Sequence, residues 1–274
     1  MKLTDTSQLP WQVYKHPREG TAELKVLAAG EAAPGMNFFF IMVRYGAHET
    51  FETPRHHHTF EQIRFSLDGA LNYAKGKDLP EGWLGYFPAG AYYGPQRVES
   101  GTVLGVQFGL GYLNEEEKAR AQGELAARGT FHEGIYTYKD DRGKTVNKDG
   151  MEAMWEHVHG RPLEYPSPRY PEPVLMNPAA FDYVAGDVVG VEEKHLGTFT
   201  ERRVAIRFLR WTQDTTLVLD GERSQLGYAT SGQLTVNSET AGSGAALWSE
   251  HGDKTRIVGT AGSELLLLDL PEPV

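Results

Sequence analysis

Short runs rich in β-branched and aromatic residues, separated by Gly, Pro, Asn and Asp, fill both ends of the chain. The first block contains AELKVLAA, NFFFIMVRY, FEQIRFSL, ALNYA, WLGYF and TVLGVQFGL; the second contains RVAIRFLRW, TTLVLDG, QLGYAT, QLTVNS, AALWS, TRIVG and ELLLLDL. Runs of this length, rich in β-branched and aromatic residues and closely punctuated by turn formers, predict many short strands folded into a sandwich or barrel. The middle has a different pattern. Residues 114–129, NEEEKARAQGELAARG, begin with glutamates, carry Arg near the end and close on Gly, which predicts a helix. Residues 148–159 predict a second helix, stopped by Gly160. Five prolines then fall within residues 161–173, where they cannot donate to a sheet ladder and favour an extended connection.

The two strand blocks echo each other in order. Arg44 aligns with Arg210, Gln62 with Gln225, Gly69 with Gly232, Gly82 with Gly244 and Gly90 with Gly252. Self-similarity of this kind predicts two copies of one β-domain. The expected organisation is an N-terminal arm over residues 1–30, a first β-domain over 31–112, a helical and proline-rich connector over 113–180, and a second β-domain over 181–274.

Composition narrows the function classes. The 274 residues carry a formal charge of −10, and no basic cluster of the size a phosphate backbone requires is present, so nucleic acid is not an expected partner. There is no cysteine, which excludes disulfides, thiolate metal sites and a cysteine nucleophile. No apolar run approaches the roughly 20 residues needed to cross a bilayer, and the start of the chain has no signal-peptide pattern; a soluble, cytoplasmic protein is expected. Neither a G-x-S-x-G elbow nor a phosphate loop ending in Gly-Lys-Ser/Thr occurs.

The concentrated chemistry lies in Pro54-Arg55-His56-His57-His58-Thr59-Phe60-Glu61-Gln62. On a strand, alternate residues share a face, so His56, His58, Phe60, Gln62 and Arg64 are expected on one side and His57, Glu61 and Ile63 on the other. Two imidazoles at this spacing can chelate a divalent ion, Gln62 can add an oxygen, and Arg64 can hold an anionic substrate group. His157 and His159 share the spacing, but on a helix such residues point apart.

The order His56-x-His58-x3-Gln62-x6-Gly69, followed by Gly82, Pro88, Gly90 and Tyr93, resembles the two motifs of the cupin superfamily. Gln62 stands where that family usually has Glu, Tyr93 where it has its last His, Thr50 where the leading Gly is expected and Arg97 where it has Asn. The resemblance implies an all-β fold of two cupin (jelly-roll type) barrels, a bicupin, joined by a partly helical connector. It implies a metal site at His56, His58, Gln62 and Tyr93 holding one divalent transition metal, with iron(II) favoured and manganese, nickel or zinc as alternatives. The second copy has Leu219 and Gly221 at the two His positions and Thr255 at the Tyr93 position, so it is expected to be structural. By the same resemblance the chain is expected to be an oxidoreductase of the dioxygenase type. Its substrate would be a small aromatic or oxygenated molecule, with Tyr93 and Arg64 as catalytic residues and Gln107, Phe40 and Phe60 lining the pocket. The alternatives are a metal-dependent lyase or isomerase, and a small-molecule sensor or storage module. Pairing of two copies through exposed sheet edges is the expected oligomeric contact.

Overall fold

These runs become strand almost throughout. The computed structural model describes residues 2–16, 20–33, 35–109, 113, 115–199 and 203–271. One sheet has seven strands in the order Val174–Met176, Leu84–Phe87, Glu61–Asp68, Gly101–Gly109, Met36–Tyr45, Thr21–Ala33 and Gln12–Lys15. A second has seven in the order Lys2–Asp5, Ala245–Ser249, Gln225–Ser231, Glu264–Asp269, Val204–Trp211, Val191–Phe199 and Val184–Ala185. The central five strands of the two sheets occupy equivalent places, and the sequence echo aligns three of the pairs: Met36–Tyr45 with Val204–Trp211, Glu61–Asp68 with Gln225–Ser231, and Leu84–Phe87 with Ala245–Ser249. The aligned glycines also share a backbone conformation: φ is +70° at Gly69 and +72° at Gly232, +76° at Gly82 and +88° at Gly244, and +77° at Gly90 and +88° at Gly252. A Cβ disfavours that left-handed region, so the echo records repeated turn geometry.

Two compact units result, and they are not sequential. One comprises Met1–Trp11, Lys25–Met42 and Met176–Val274; the other comprises Gln12–Leu24 and Val43–Leu175. In the first, Trp211, Ile257 and Leu267 are fully buried among Leu209, Leu234 and Leu247. In the second, Phe51, Leu71, Leu79, Phe87, Tyr93 and Val103 form the core. Each fully buried side chain of this size contributes about 1.5–3 kcal/mol through removal from water. The apolar members of each strand face these cores because successive side chains alternate across a sheet.

The middle of the chain holds more strand than its sequence predicts. Helices span Glu115–Ala126 and Gly150–His159, and Ala121, Met154 and Trp155 pack in their shared core. Position 114, the expected helix start, lies outside the described residues. The second helix starts later than residue 148 because the Asp149 carboxylate accepts the Glu152 N–H at 3.0 Å and caps it; Lys148 remains in a strand. Gly160, at φ 63°, ends it. Between the helices lies a three-stranded antiparallel sheet, Gly129–His132, Ile135–Lys139 and Thr145–Asp149, which was expected as loop. Its strands alternate weakly, and Tyr136 is the buried side chain that anchors it.

Burial raises the phenols of Tyr45, Tyr73, Tyr136, Tyr183 and Tyr228 above the ordinary value of 10.0, desolvation being the main cause at each. Above that value an unfolded chain has lost these protons while the folded chain keeps them, so stability falls as pH rises. Melting temperature is therefore expected to decline from about pH 10 upward. Tyrosinate absorbance should develop late and together with unfolding; early, complete tyrosinate formation in the folded protein would contradict these burials.

Candidate functional site

The strand Glu61–Asp68 carries the site in the middle of its sheet. Gln62 pairs with Phe87 on one side and Gln107 on the other, and Arg64 pairs with Gly85 and Gly105. Paired residues share a face, so the long Arg64 stem lies between two positions that have no side chain. The expected continuous strand from His56 is interrupted. His56 forms an isolated bridge with Tyr93, with His56 N–H donating to the Tyr93 carbonyl at 2.9 Å and Tyr93 N–H to the His56 carbonyl at 3.0 Å. Residues 57–60 then bend before the strand begins. That bridge and bend bring motif one against motif two.

The Tyr93 hydroxyl is the hub. Gln62 Nε2 donates to it at 3.2 Å and Arg64 Nη2 at 2.8 Å, and His58 Nε2 lies 2.7 Å away. A phenol oxygen accepts two such bonds and donates one, so its hydrogen points at His58 Nε2, which accepts. Arg64 Nε donates to Gln62 Oε1 at 2.9 Å; arginine has no acceptor, which fixes the orientation of the amide. The guanidinium carbon stands 4.4 Å from the Phe87 ring centre and 4.9 Å from that of Tyr93. Arg64 Nη1 is buried and has no hydrogen-bond partner. Tyr45 is near enough to feel the Arg64 charge, which opposes the upward push of burial on its phenol.

The four expected ligands come together, and three of them already share hydrogen bonds with one another or with Arg64. His58 Nε2 accepts from the phenol, Gln62 Oε1 accepts from Arg64, and the Tyr93 oxygen accepts from two N–H groups. His56 has the support typical of a metal ligand, with Nδ1 held by the Pro54 carbonyl at 2.7 Å. No group of three or more His, Asp or Glu able to hold a metal occurs among the described residues. A divalent ion here would have no carboxylate ligand and would face a guanidinium in hydrogen-bond contact with two of its donors. As arranged, this set does not fit a divalent ion.

Other side chains sort as follows. Phe60 is buried, and its ring stacks on His58 at 4.3 Å. Gln107 is half-buried on the Gln62 face. Phe40, expected in the pocket, is fully buried and falls in the other compact unit. Glu61 points to the opposite face, where the Tyr86 hydroxyl donates to it at 3.0 Å. His57 lies between Tyr92 and Tyr165, with ring centres 4.0 and 3.5 Å away. Nothing in the sequence pointed to that sandwich, because Tyr165 comes from the proline-rich segment. In the second copy Gln225 Nε2 donates to Asp269 at 2.6 Å, Leu219 belongs to the core, and Thr255 shares a hydrogen bond with Ser249 at 2.7 Å, so no imidazole cluster forms at these matching positions. A separate open cavity of about 920 Å³ is lined by Glu52, Asn72, Arg97 and His132, among others; Arg97 is paired with Glu52 there.

The chain matches no protein-family model and no curated protein. Solved structures do match over its whole length. A candidate dioxygenase from Nostoc punctiforme superposes with a TM-score of 0.62 at 13% identity, covering 100% of this chain and 83% of that one. HEPD from Streptomyces albus, solved with 2-hydroxyethylphosphonate and Fe(II), gives 0.57 at 11% identity, covering 99% of this chain and 76% of that one. Bacillus subtilis oxalate decarboxylase gives 0.54 at 15%, covering 99% and 77%. These are cupin-fold proteins. The chain has the cupin fold. At these identities the likeness concerns fold; in this chain Gly69, Gly82 and Gly90 take the left-handed turn conformation. Among the described residues no helix is long and apolar enough to cross a membrane.

Proposed function

We propose that this cupin-fold chain is an enzyme that transfers a proton on a small organic molecule, with Tyr93 as acid–base and His58 as its relay. The observation that supports it is the convergence of Gln62, Arg64 and His58 on the Tyr93 hydroxyl. The phenolic proton passes to the lone pair of His58 Nε2. Gln62 and Arg64 N–H groups hold the phenolate, which removes a proton from the substrate. The imidazolium then returns its proton to the product. Solvent-deuterium incorporation into a panel of enolisable acids, followed by NMR, tests this. Incorporation is expected with the wild type and lost with His58→Ala; oxygen consumption without exchange would refute it.

A second reading keeps the expectation of a metal-dependent oxidoreductase, in its finer form a dioxygenase of the first of two cupin barrels. The His56 Nδ1 contact to Pro54 favours it, as does the fold shared with the Fe(II)-bound HEPD. His56 and His58 would be its imidazole donors, with Gln62 and Tyr93 completing the set and iron(II) first among candidate ions. Elemental analysis of the purified protein separates the two readings. The acid–base reading expects substoichiometric metal that is equal in the wild type and in a His56→Ala, His58→Ala double variant. Stoichiometric metal lost in the double variant would replace it with the second reading.

A further inference from the structure

A guanidinium removed from water needs a counter-charge or a full set of acceptors. Arg64 has neither. Nε and Nη2 serve Gln62 and Tyr93, both neutral, while Nη1 is buried with no partner. No carboxylate pairs with Arg64 among the described residues; Glu61, its neighbour in sequence, faces the other way and bonds Tyr86. The Phe87 and Tyr93 rings beside the guanidinium, with Phe60 stacked on His58, add apolar walls. His58 and Gln107 are only half-buried.

We infer that the pocket is a metal-independent receptor for a small organic carboxylate, with the Arg64 guanidinium as its positive centre and Nη1 as the unfilled donor. The charge count selects the ligand class. One guanidinium balances one carboxylate, whereas a phosphate group carries nearly twice that charge and has three acceptor oxygens to satisfy. A planar carboxylate also matches the planar fork, and its organic body suits the aromatic walls. The inference shares the pocket of the acid–base reading but does not depend on its proton transfer.

The test is thermal melting and calorimetric titration of the full chain in EDTA. The probes are benzoate, succinate and oxalate, with benzamide, sulfate and phosphate as comparisons. At least one carboxylate is expected to raise the melting temperature and to bind about 10–100-fold more tightly than benzamide, the effect expected of one charge-assisted contact. Arg64→Gln should abolish the preference, and Arg64→Lys, which keeps the charge but loses the fork, should retain part of it. Loss of binding in EDTA, an equal response to sulfate or phosphate, an unchanged preference in Arg64→Gln, or no response to any carboxylate would each overturn it. Tyr93→Phe separates the two proposals. Carboxylate binding retained without deuterium exchange sustains both, while exchange retained in that variant removes the acid–base reading and leaves the receptor standing.

Discussion

Tyr93→Phe is expected to lower the rate of proton transfer by about 10²–10⁴-fold, the usual share of a positioned acid–base group. The substitution deletes one oxygen and leaves the ring that packs against Phe87 at 5.4 Å and His56 at 4.5 Å. It also strips a partner from Gln62 Nε2, Arg64 Nη2 and His58 Nε2 together. A cost of about 1–3 kcal/mol in stability should accompany the kinetic loss, because buried polar groups are left unsatisfied. The effect should fall on kcat, with KM for a carboxylate substrate changed little, since Arg64 Nη1 does not contact the phenol. Deuterium-exchange kinetics beside a denaturant titration measure both. A variant with normal kcat and lowered stability would reduce Tyr93 to a structural residue.

Gly90→Ala is expected to be the most damaging single methyl in the motif. Gly90 has φ +77°, and an added Cβ would lie 1.9 Å from the Pro166 carbonyl oxygen. Its N–H donates to the His58 carbonyl at 2.8 Å, so any shift is passed directly to the site. The left-handed conformation alone costs about 1–3 kcal/mol with a side chain, and the clash with backbone adds to it. The aligned glycine of the other copy supplies the control. Gly252 has φ +88° and nothing within 4 Å of an added Cβ, so Gly252→Ala should cost only the conformational part. Denaturant midpoints of the two variants read the difference. Equal losses would mean that residues 165–168 are not held against motif two. A larger loss in Gly90→Ala should come with a change in the stacking of His57 on Tyr165, visible as a shift of its imidazole NMR signals.

The strands and the repeated turns could be read from the sequence, because both are local; the meeting of Tyr93 with His58 and Gln62 joins segments more than 30 residues apart and was implied only by the family resemblance. Alternation fixes which residues share a face, and a glycine at a left-handed turn leaves a trace that no other residue type replaces. The partner of each side chain was not legible. Spacing placed Gln62 as an oxygen ligand, yet its carbonyl faces Arg64 and its amide faces Tyr93. That choice depends on a strand pairing that sets Arg64 between Gly85 and Gly105, residues distant in sequence. The stacking of Tyr165 on His57 and the Glu61–Tyr86 bond likewise depend on contacts between remote segments.

By itself, then, the sequence determined the strand rhythm, the doubled arrangement of turns and the residue types brought to one sheet face, since each follows from backbone preferences within a few residues. Tertiary structure alone decided which acceptors the Arg64 guanidinium meets and which it lacks, because hydrogen-bond partners are allotted by distance across strands and not by order along the chain.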